Sequence, residues 1–389
     1  MLLTNLSAQL LPVTSSPQFA AHPSPAAPSS AQLYAVAFAS FAAELLESLD
    51  ARGVFLADHH AILGVADGLR GIRDTLESFI GRVINPLTNS IMKELLPLVE
   101  ALEYSTPVFG SPPSQVKQTP IQHKGVSLHP SITAIQSVIY AHARNVEQYT
   151  SLPSMTSQTT LATLLISLIW RGLVVLSRRA PAVLPCVAST PTQQVMSPAT
   201  LLWKKVGGNP TPPTTPPPVR FSIKLPPSRP PSPPSSQLPC PAMDARALYN
   251  LVNVLPRPSE DSHYALAREA VDEAFGGLAA LCALLDYEAA GNLENLDGVT
   301  ADLPTVIALP VLLRIFGGLE DHKEGGDAWD VPALLGMTDK EYRDKCLGGF
   351  TRAEECGPLV ARNVLSVLLE RRNSKCERLI HWLEGRAGD

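Results

Sequence analysis

Apolar residues recur every three or four positions through most of the chain, a spacing typical of amphipathic helices. The clearest run is ILGVADGLRGIRDTLESFIGRV, residues 62–83, which predicts a helix from about Asp58 to just before Pro86. Its apolar positions, here called the 62–83 seam, alternate steps of three and four: Ile62, Val65, Leu69, Ile72, Leu76, Phe79 and Val83. The seam has two possible uses, as a wall of the protein's own core or as a surface for oligomer formation.

Two features of this run favour a bundle within one chain over a coiled coil between chains. The positions that flank the seam lack the complementary charges that a parallel coiled coil prefers. Leu63, Ala66 and Ile80 also widen the apolar face beyond a narrow seam. An oligomer that forms through the seam remains the alternative.

Three further helices are predicted in the N-terminal half. The first begins after Ser30, the next runs from Pro86 to about Tyr104 with a kink at Pro97, and the last runs from Pro130 to about Leu152. Apolar positions of the first are Tyr34, Phe38, Phe41, Leu45 and Leu49. Those of the last are Ile132, Ile135, Ile139, Val146 and Tyr149, together with His142. A histidine on such a face favours a core or boundary position over a ligand or a base.

The segment LATLLISLIWRGLVVL, residues 161–176, resembles a membrane span in composition. It is shorter than the roughly 20 residues that a span needs, and it contains Arg171. Thr163, Ser167 and Arg171 are four residues apart and form one narrow polar stripe on an apolar helix. This pattern predicts a helix buried inside a bundle, with a membrane anchor as the alternative.

Residues 181–242 contain 18 prolines, five basic side chains and no acidic one. Such a tract predicts an extended, disordered linker. Residues 243–389 return to a helical pattern, with 25 acidic and 15 basic side chains. There, Asp244 is a candidate helix cap, and Thr338 with Glu341 forms a capping-box pattern.

The predicted fold class is therefore all-α, with an N-terminal helical bundle and a second, C-terminal helical domain joined by a disordered Pro-rich linker. The expected divisions are a disordered leader (1–30), a bundle with a long loop at 105–129 (31–180), the basic linker (181–242) and an acidic helical domain (243–389). The sequence leaves open whether the two helical regions pack together.

Composition narrows the classes of function. The net charge is −5, and no nucleic-acid-binding module accompanies the small basic cluster at Lys204 and Lys205, so a nucleic-acid partner is not expected. The six cysteines form no CxxC pair, which predicts reduced thiols in a cytoplasmic or nuclear protein. No motif for a catalytic centre, a cofactor or a metal is found, so none of the three is expected.

The linker carries the most specific functional motifs. Lys224, Pro227 and Pro230 match the ligand pattern of SH3 domains, in which a polyproline helix ends in a cation. Candidate phosphorylation sites, each followed by proline, are Thr190, Ser197, Thr211, Thr215 and Ser232. The surroundings of Ser232 partly resemble a ligand of phosphoserine-binding adaptors. Phosphate groups would cancel much of the positive charge of the linker.

The sequence therefore predicts a non-catalytic scaffold or adaptor that binds partner proteins through helical surfaces and the Pro-rich linker. A membrane-associated protein anchored through residues 161–176 is the first alternative. An enzyme that uses the acidic loop LEDHKEGGDAWD, residues 319–330, is the second. That loop does not have the ligand spacing of a calcium-binding loop.

Overall fold

A computed structural model describes residues 28–52, 63–104, 128–179, 240–290, 295–317, 330–371 and 376–388, and near the N-terminus residues 8, 11–16 and 19. For residues 63–69, 290 and 371 it describes the backbone but not the side chains. These segments contain helices, turns and irregular backbone and no β-strand. The predicted all-α fold class is confirmed. The stretch 180–239, which holds most of the predicted linker, lies outside the described residues.

The helices are numbered here in chain order. The N-terminal region forms α1 (Ser30–Ala51), α2 (Leu63–Glu100), α3 (Pro130–Thr150) and α4 (Met155–Arg178). The C-terminal region begins with α5 (Pro241–Val252), α6 (Ala265–Ala290), α7 (Leu296–Thr300) and α8 (Thr305–Gly317). It continues with α9 (Val331–Leu334), α10 (Asp339–Cys346), α11 (Phe350–Arg371) and α12 (Glu377–Ala387).

The prediction that one helix ends before Pro86 and another begins there was wrong. A single helix of 38 residues, α2, runs through both Pro86 and Pro97. Proline removes one backbone hydrogen bond and normally kinks or breaks a helix. Pro86 lies on the exposed side of α2, where water can satisfy the freed carbonyl, while Val83, Ile84 and Leu87 are buried on the other side. Packing of that buried side keeps the helix continuous.

Helix α4, the last helix of the N-terminal region, contacts helices of both regions. It packs on α2 and α3 from the N-terminal region and on α5, α6 and α8 from the C-terminal region. Its buried side chains include Leu165, Ile169 and Leu173. The two helical regions therefore share one hydrophobic core and belong to one unit.

Polar contacts also join the two regions around α4. The indole nitrogen of Trp170 donates to the carbonyl oxygen of Leu347 at 2.9 Å. A guanidinium nitrogen of Arg314 donates to the carbonyl oxygen of Ser177 at 2.7 Å. Because these partners are far apart in sequence, each bond depends on the packing of the whole unit.

A buried ion pair lies where four segments of the chain meet. Arg179 Nη1 donates to Asp244 Oδ2 at 2.6 Å, and both side chains are almost fully buried. The other carboxylate oxygen of Asp244 accepts from the backbone N–H of His129 at 2.9 Å. His129 Nε2 in turn lies 3.0 Å from the carbonyl oxygen of Tyr104. The cluster thus connects the end of the α2 segment, the start of α3, the end of α4 and the first turn of α5.

The prediction that Asp244 caps a helix was wrong. Helix α5 begins three residues earlier at Pro241, and Cys240 occupies the N-cap position. Proline is favoured at the first helical position, because its missing N–H has no partner there in any case. Asp244 lies in the first turn on the buried side of α5, where its charge is balanced by Arg179.

We expect His129 to make stability depend on pH. Burial, aided by the charge of Arg179, lowers the pKa of His129 below its usual 6.5, although the Tyr104 carbonyl and Asp244 act in the opposite direction. Below about pH 6.5 the unfolded chain therefore binds a proton that the folded chain resists. The free energy of unfolding should fall as pH drops from 7.5 through 6.5 towards the folded pKa. Urea unfolding at pH 7.5 and 5.5 measures this fall.

A matched pair of variants separates His129 from the other histidines. His129 Nδ1 accepts from the N–H of Ser131, and asparagine can take over this capping role. His129→Asn should therefore lose less stability than the wild type between the two pH values. His381→Gln, at a largely exposed site, should lose as much as the wild type. Equal losses in all three proteins would contradict the role given to His129.

Candidate interaction surface

Helix α1 has two apolar faces that differ in the size of their side chains. The face against the core is rich in alanine: its buried residues are Gln32, Ala35, Val36, Ala39, Ala42, Ala43 and Leu46. Small side chains allow the backbone of α1 to approach α2, on which it packs. Leu46 is the one leucine fully buried on this face of α1, whereas most of the other large apolar side chains of the helix are partly or largely exposed.

Three large apolar side chains of α1 are about half exposed. Phe41 is 50% exposed, Tyr34 is 46% exposed and Leu33 is 45% exposed. Phe38 is partly buried, and its ring stacks obliquely on that of Tyr34 with 4.9 Å between centroids. We call Leu33, Tyr34, Phe38, Phe41 and Leu45 the α1 stripe. Single exposed apolar residues are ordinary on protein surfaces, whereas a contiguous patch of them is typical of interaction sites.

Charge is distributed unevenly along α1. Glu44, Glu47 and Asp50 are exposed in its C-terminal half, and Asp50 forms an ion pair with Arg73 of α2. The helix contains no basic residue and no acidic residue in its first turn. The α1 stripe is therefore apolar at its N-terminal end and bordered by carboxylates at the other.

The described part of the 62–83 seam faces the interior of the protein. Leu76, Phe79 and Val83 are buried in the core, and Ile72 is partly buried against it. Ile62 lies outside the described residues, and Val65 and Leu69 lie in the part of α2 whose side chains are not described. The seam residues whose side chains are described thus form a wall of the protein's own core.

The motif residues of the linker lie outside the described residues. This holds for the SH3-ligand candidates Lys224, Pro227 and Pro230. It also holds for the candidate phosphorylation sites Thr190, Ser197, Thr211, Thr215 and Ser232. These residues remain predictions from the sequence.

Of the acidic loop at 319–330, only Asp330 is among the described residues. Burial raises the pKa of Asp330, and the nearby charge of Arg178 acts in the opposite direction. Asp330 precedes α9 without capping it through its side chain. Across the described segments, no group of three or more histidine, cysteine or acidic side chains could hold a metal ion.

His142 is a core histidine, as its place in the apolar pattern of α3 predicted. It is 1% exposed and lies on the same buried face as Ile135, Ile139 and Val146. Its Nε2 lies 3.1 Å from a carboxylate oxygen of Glu94 on α2. The Glu94 side chain is partly exposed. This contact joins α3 to α2.

Helix α4 is the one described helix that is long and apolar enough to cross a membrane. In its most apolar 18-residue window, 67% of the residues are buried inside the protein. The predicted polar stripe lies along the less buried side: Thr163 and Arg171 are exposed, and Ser167 is partly buried. Arg171 Nε lies 3.7 Å from a carboxylate oxygen of Glu100. This is the arrangement predicted for an interior bundle helix.

Comparisons with known proteins found no counterpart. No protein-family model, no curated protein and no solved structure matches the chain. Function must therefore be argued from the residues of this chain alone.

Proposed function

We propose that this protein is a non-catalytic scaffold or adaptor, and that a partner protein docks on the α1 stripe. One observation carries the proposal: α1 packs its alanines against the core and leaves Leu33, Tyr34 and Phe41 about half exposed. Exposing large apolar side chains is unfavourable in water, and covering them with a partner would remove that cost.

The spacing and charge of the stripe define the partner. Tyr34, Phe38, Phe41 and Leu45 repeat at steps of four, three and four, which suits packing against a second helix. The exposed carboxylates of Glu44 and Glu47 border this run. The fitting partner is an amphipathic helix of another protein, with apolar residues flanked by lysine or arginine. A second copy of α1 offers no basic residue for those carboxylates.

The Pro-rich linker is the second part of the proposal. Its match to SH3 ligands at Lys224, Pro227 and Pro230 adds an extended peptide that modular domains can bind independently of the helical unit. Phosphorylation at the proline-directed sites would lower its positive charge and weaken binding to an acidic pocket. A scaffold of this design brings a helix-bearing partner and a domain-bearing partner together.

Aspartate at the stripe should abolish binding of the partner. We expect the full-length double variant Leu33→Asp with Phe41→Asp to lose a stoichiometric partner that the wild type retains. Both proteins are affinity-purified from native cells. The loss should exceed about tenfold, because an anchor residue of an interface contributes roughly 2 kcal/mol or more. Mass spectrometry with labelled standards measures the recovery, and circular dichroism checks that the variant stays folded.

Leu266→Asp is the matched control. Leu266 is 81% exposed at the start of α6 and is not part of the α1 stripe, so this variant should keep the partner. Equal recovery from all three proteins would contradict docking on the stripe. If light scattering instead shows a wild-type dimer that the stripe variant converts to a monomer, the occupant is a second copy.

A further inference from the structure

Two cysteines lie side by side where α10 meets α11. Cys346 is the last residue of α10, and Cys356 lies in the second turn of α11. The thiol of Cys356 donates a hydrogen bond to the carbonyl oxygen of Lys345, the residue before Cys346, at 3.3 Å. Cys356 also contributes to the raised pKa of Cys346, as expected if the two side chains lie close together. The Cys356 thiol thus lies beside the backbone that carries Cys346.

The turn between the helices brings the two thiols together. Gly349 has a φ of +154°, which side-chain-bearing residues rarely adopt, so glycine permits this reversal of the chain. Trp170 of α4 holds the turn from the other side, through its bond to the Leu347 carbonyl and through ring contact with Phe350 at 4.7 Å between centroids. The packed fold therefore holds the two cysteines in their positions.

The two thiols differ in their access to solvent. Cys346 is 5% exposed, whereas Cys356 is partly exposed. Burial, together with the nearby Cys356, raises the pKa of Cys346 to about 11. A small oxidant in solution would therefore reach Cys356 first, while Cys346 remains a thiol beside it.

We propose that Cys346 and Cys356 are a reversible oxidation site that forms an intramolecular disulfide on exposure to a hydroperoxide. Hydrogen peroxide oxidises the sulfur of Cys356 to a sulfenic acid, and the O–O bond breaks with release of one water. The sulfur of Cys346 then attacks the sulfur of Cys356, and the hydroxyl group leaves with the thiol proton as a second water. In total, two thiols and one peroxide give one disulfide and two waters. A dithiol reductant restores both thiols by exchange.

The disulfide would fasten α10 to α11. Helix α10 carries Asp339, which forms an ion pair with Arg178, and Arg343, which forms one with Glu103. Both pairs join the C-terminal region to the N-terminal one. Oxidation would thus fix the position of a helix that connects the two regions. This response to redox conditions does not depend on the proposed adaptor role.

Trypsin separates the two cysteines, so the bond can be observed directly. Cleavage after Lys345, Arg352 and Arg362 gives the peptides 346–352 and 353–362, each with one cysteine. After brief treatment of purified full-length protein with hydrogen peroxide and blocking with N-ethylmaleimide, we expect these peptides as a linked pair that lacks two hydrogen atoms. Dithiothreitol should separate them. Recovery of both peptides as maleimide adducts would overturn the proposal.

Single variants establish the order of events and exclude other pairings. Cys346→Ser should leave the Cys356 sulfenic acid unresolved, so that dimedone labels peptide 353–362. Cys376→Ser, which removes a buried cysteine whose pKa is raised by burial alone, should keep the linked pair. A pair found only in covalent dimers on a non-reducing gel, or a bond from Cys356 to a different cysteine, would overturn the proposal.

Discussion

Replacing Leu76 with aspartate is expected to unfold the protein. Leu76 lies on α2 at 0% exposure, in the same core as Phe79 and Val83. A carboxylate there would have to be buried without a partner or force the helix away from the core, at a cost of several kcal/mol. That cost is comparable with the whole stability of a typical domain, about 5–15 kcal/mol. Circular dichroism and thermal unfolding should show loss of the cooperative transition.

Phe41→Asp is the control for this prediction. It makes the same kind of change on the exposed α1 stripe, where the new carboxylate stays in water, so the midpoint of unfolding should move by no more than a few degrees. The contrasting result is also informative. A Leu76→Asp variant that unfolds like the wild type but changes its oligomeric state would make the 62–83 seam an interface between chains.

Replacing Asp244 with alanine is expected to lower the free energy of unfolding by about 3–5 kcal/mol. Removing this carboxylate leaves the Arg179 guanidinium buried beside a cavity, and it removes the acceptor for the His129 N–H. An unpaired buried charge costs more than the pair itself contributes. Urea unfolding of the purified protein measures the change.

Two comparisons test whether the effect comes from the buried charge. Asp286→Ala breaks the exposed ion pair with Arg246, and a surface pair of this kind is worth only about 0–1 kcal/mol. The double variant Arg179→Met with Asp244→Leu removes both charges and should recover much of the lost stability. If Asp244→Ala and Asp286→Ala lower the free energy of unfolding equally, the buried pair does not hold the two helical regions together.

Helices α1 and α3 show how far periodicity alone can predict structure. In α3 the apolar positions form one face, and Ile132, Ile139 and Tyr149 are buried as that pattern predicted. In α1 the same rule predicted the helix but not its buried face. The buried side is mostly alanine with Val36 and Leu46, the other side carries most of the large apolar residues, and both sides are apolar. Which side of α1 is buried depends on how closely α2 approaches, and that distance is a property of the tertiary structure.

The buried ion pair and the continuous α2 could not be predicted for a related reason. Arg179 and Asp244 are 65 residues apart, and Asp244 near the start of a helix has the local pattern of a cap. Pro86 has the local pattern of a helix end. In both cases a contact distant in sequence outweighs the local preference. By contrast, the capping box of Thr338 and Glu341 depends only on neighbours, and it was predicted correctly.

The candidate sites also differ in whether they depend on local patterns or on contacts between residues distant in sequence. Four residues of the α1 stripe, Tyr34, Phe38, Phe41 and Leu45, stand out in the sequence, whereas Leu33 does not. Only the structure shows that Leu33, Tyr34 and Phe41 are about half exposed. The pairing of Cys346 with Cys356 depends on a turn at Gly349 and on Trp170, so the spacing of the cysteines gave no signal. The linker motifs are local patterns, and their function remains a prediction.

The central position of α4 has a consequence for synthesis on the ribosome. Two different sides of α4 pack against residues made much later, because Trp170 bonds to Leu347 and Gly172, on a different side, lies against Leu248. Translation adds roughly 5–20 residues per second, so this apolar surface stays uncovered for on the order of ten seconds. During that interval the nascent chain exposes a membrane-like helix to the cell. The chain should therefore depend on chaperones until its second half emerges.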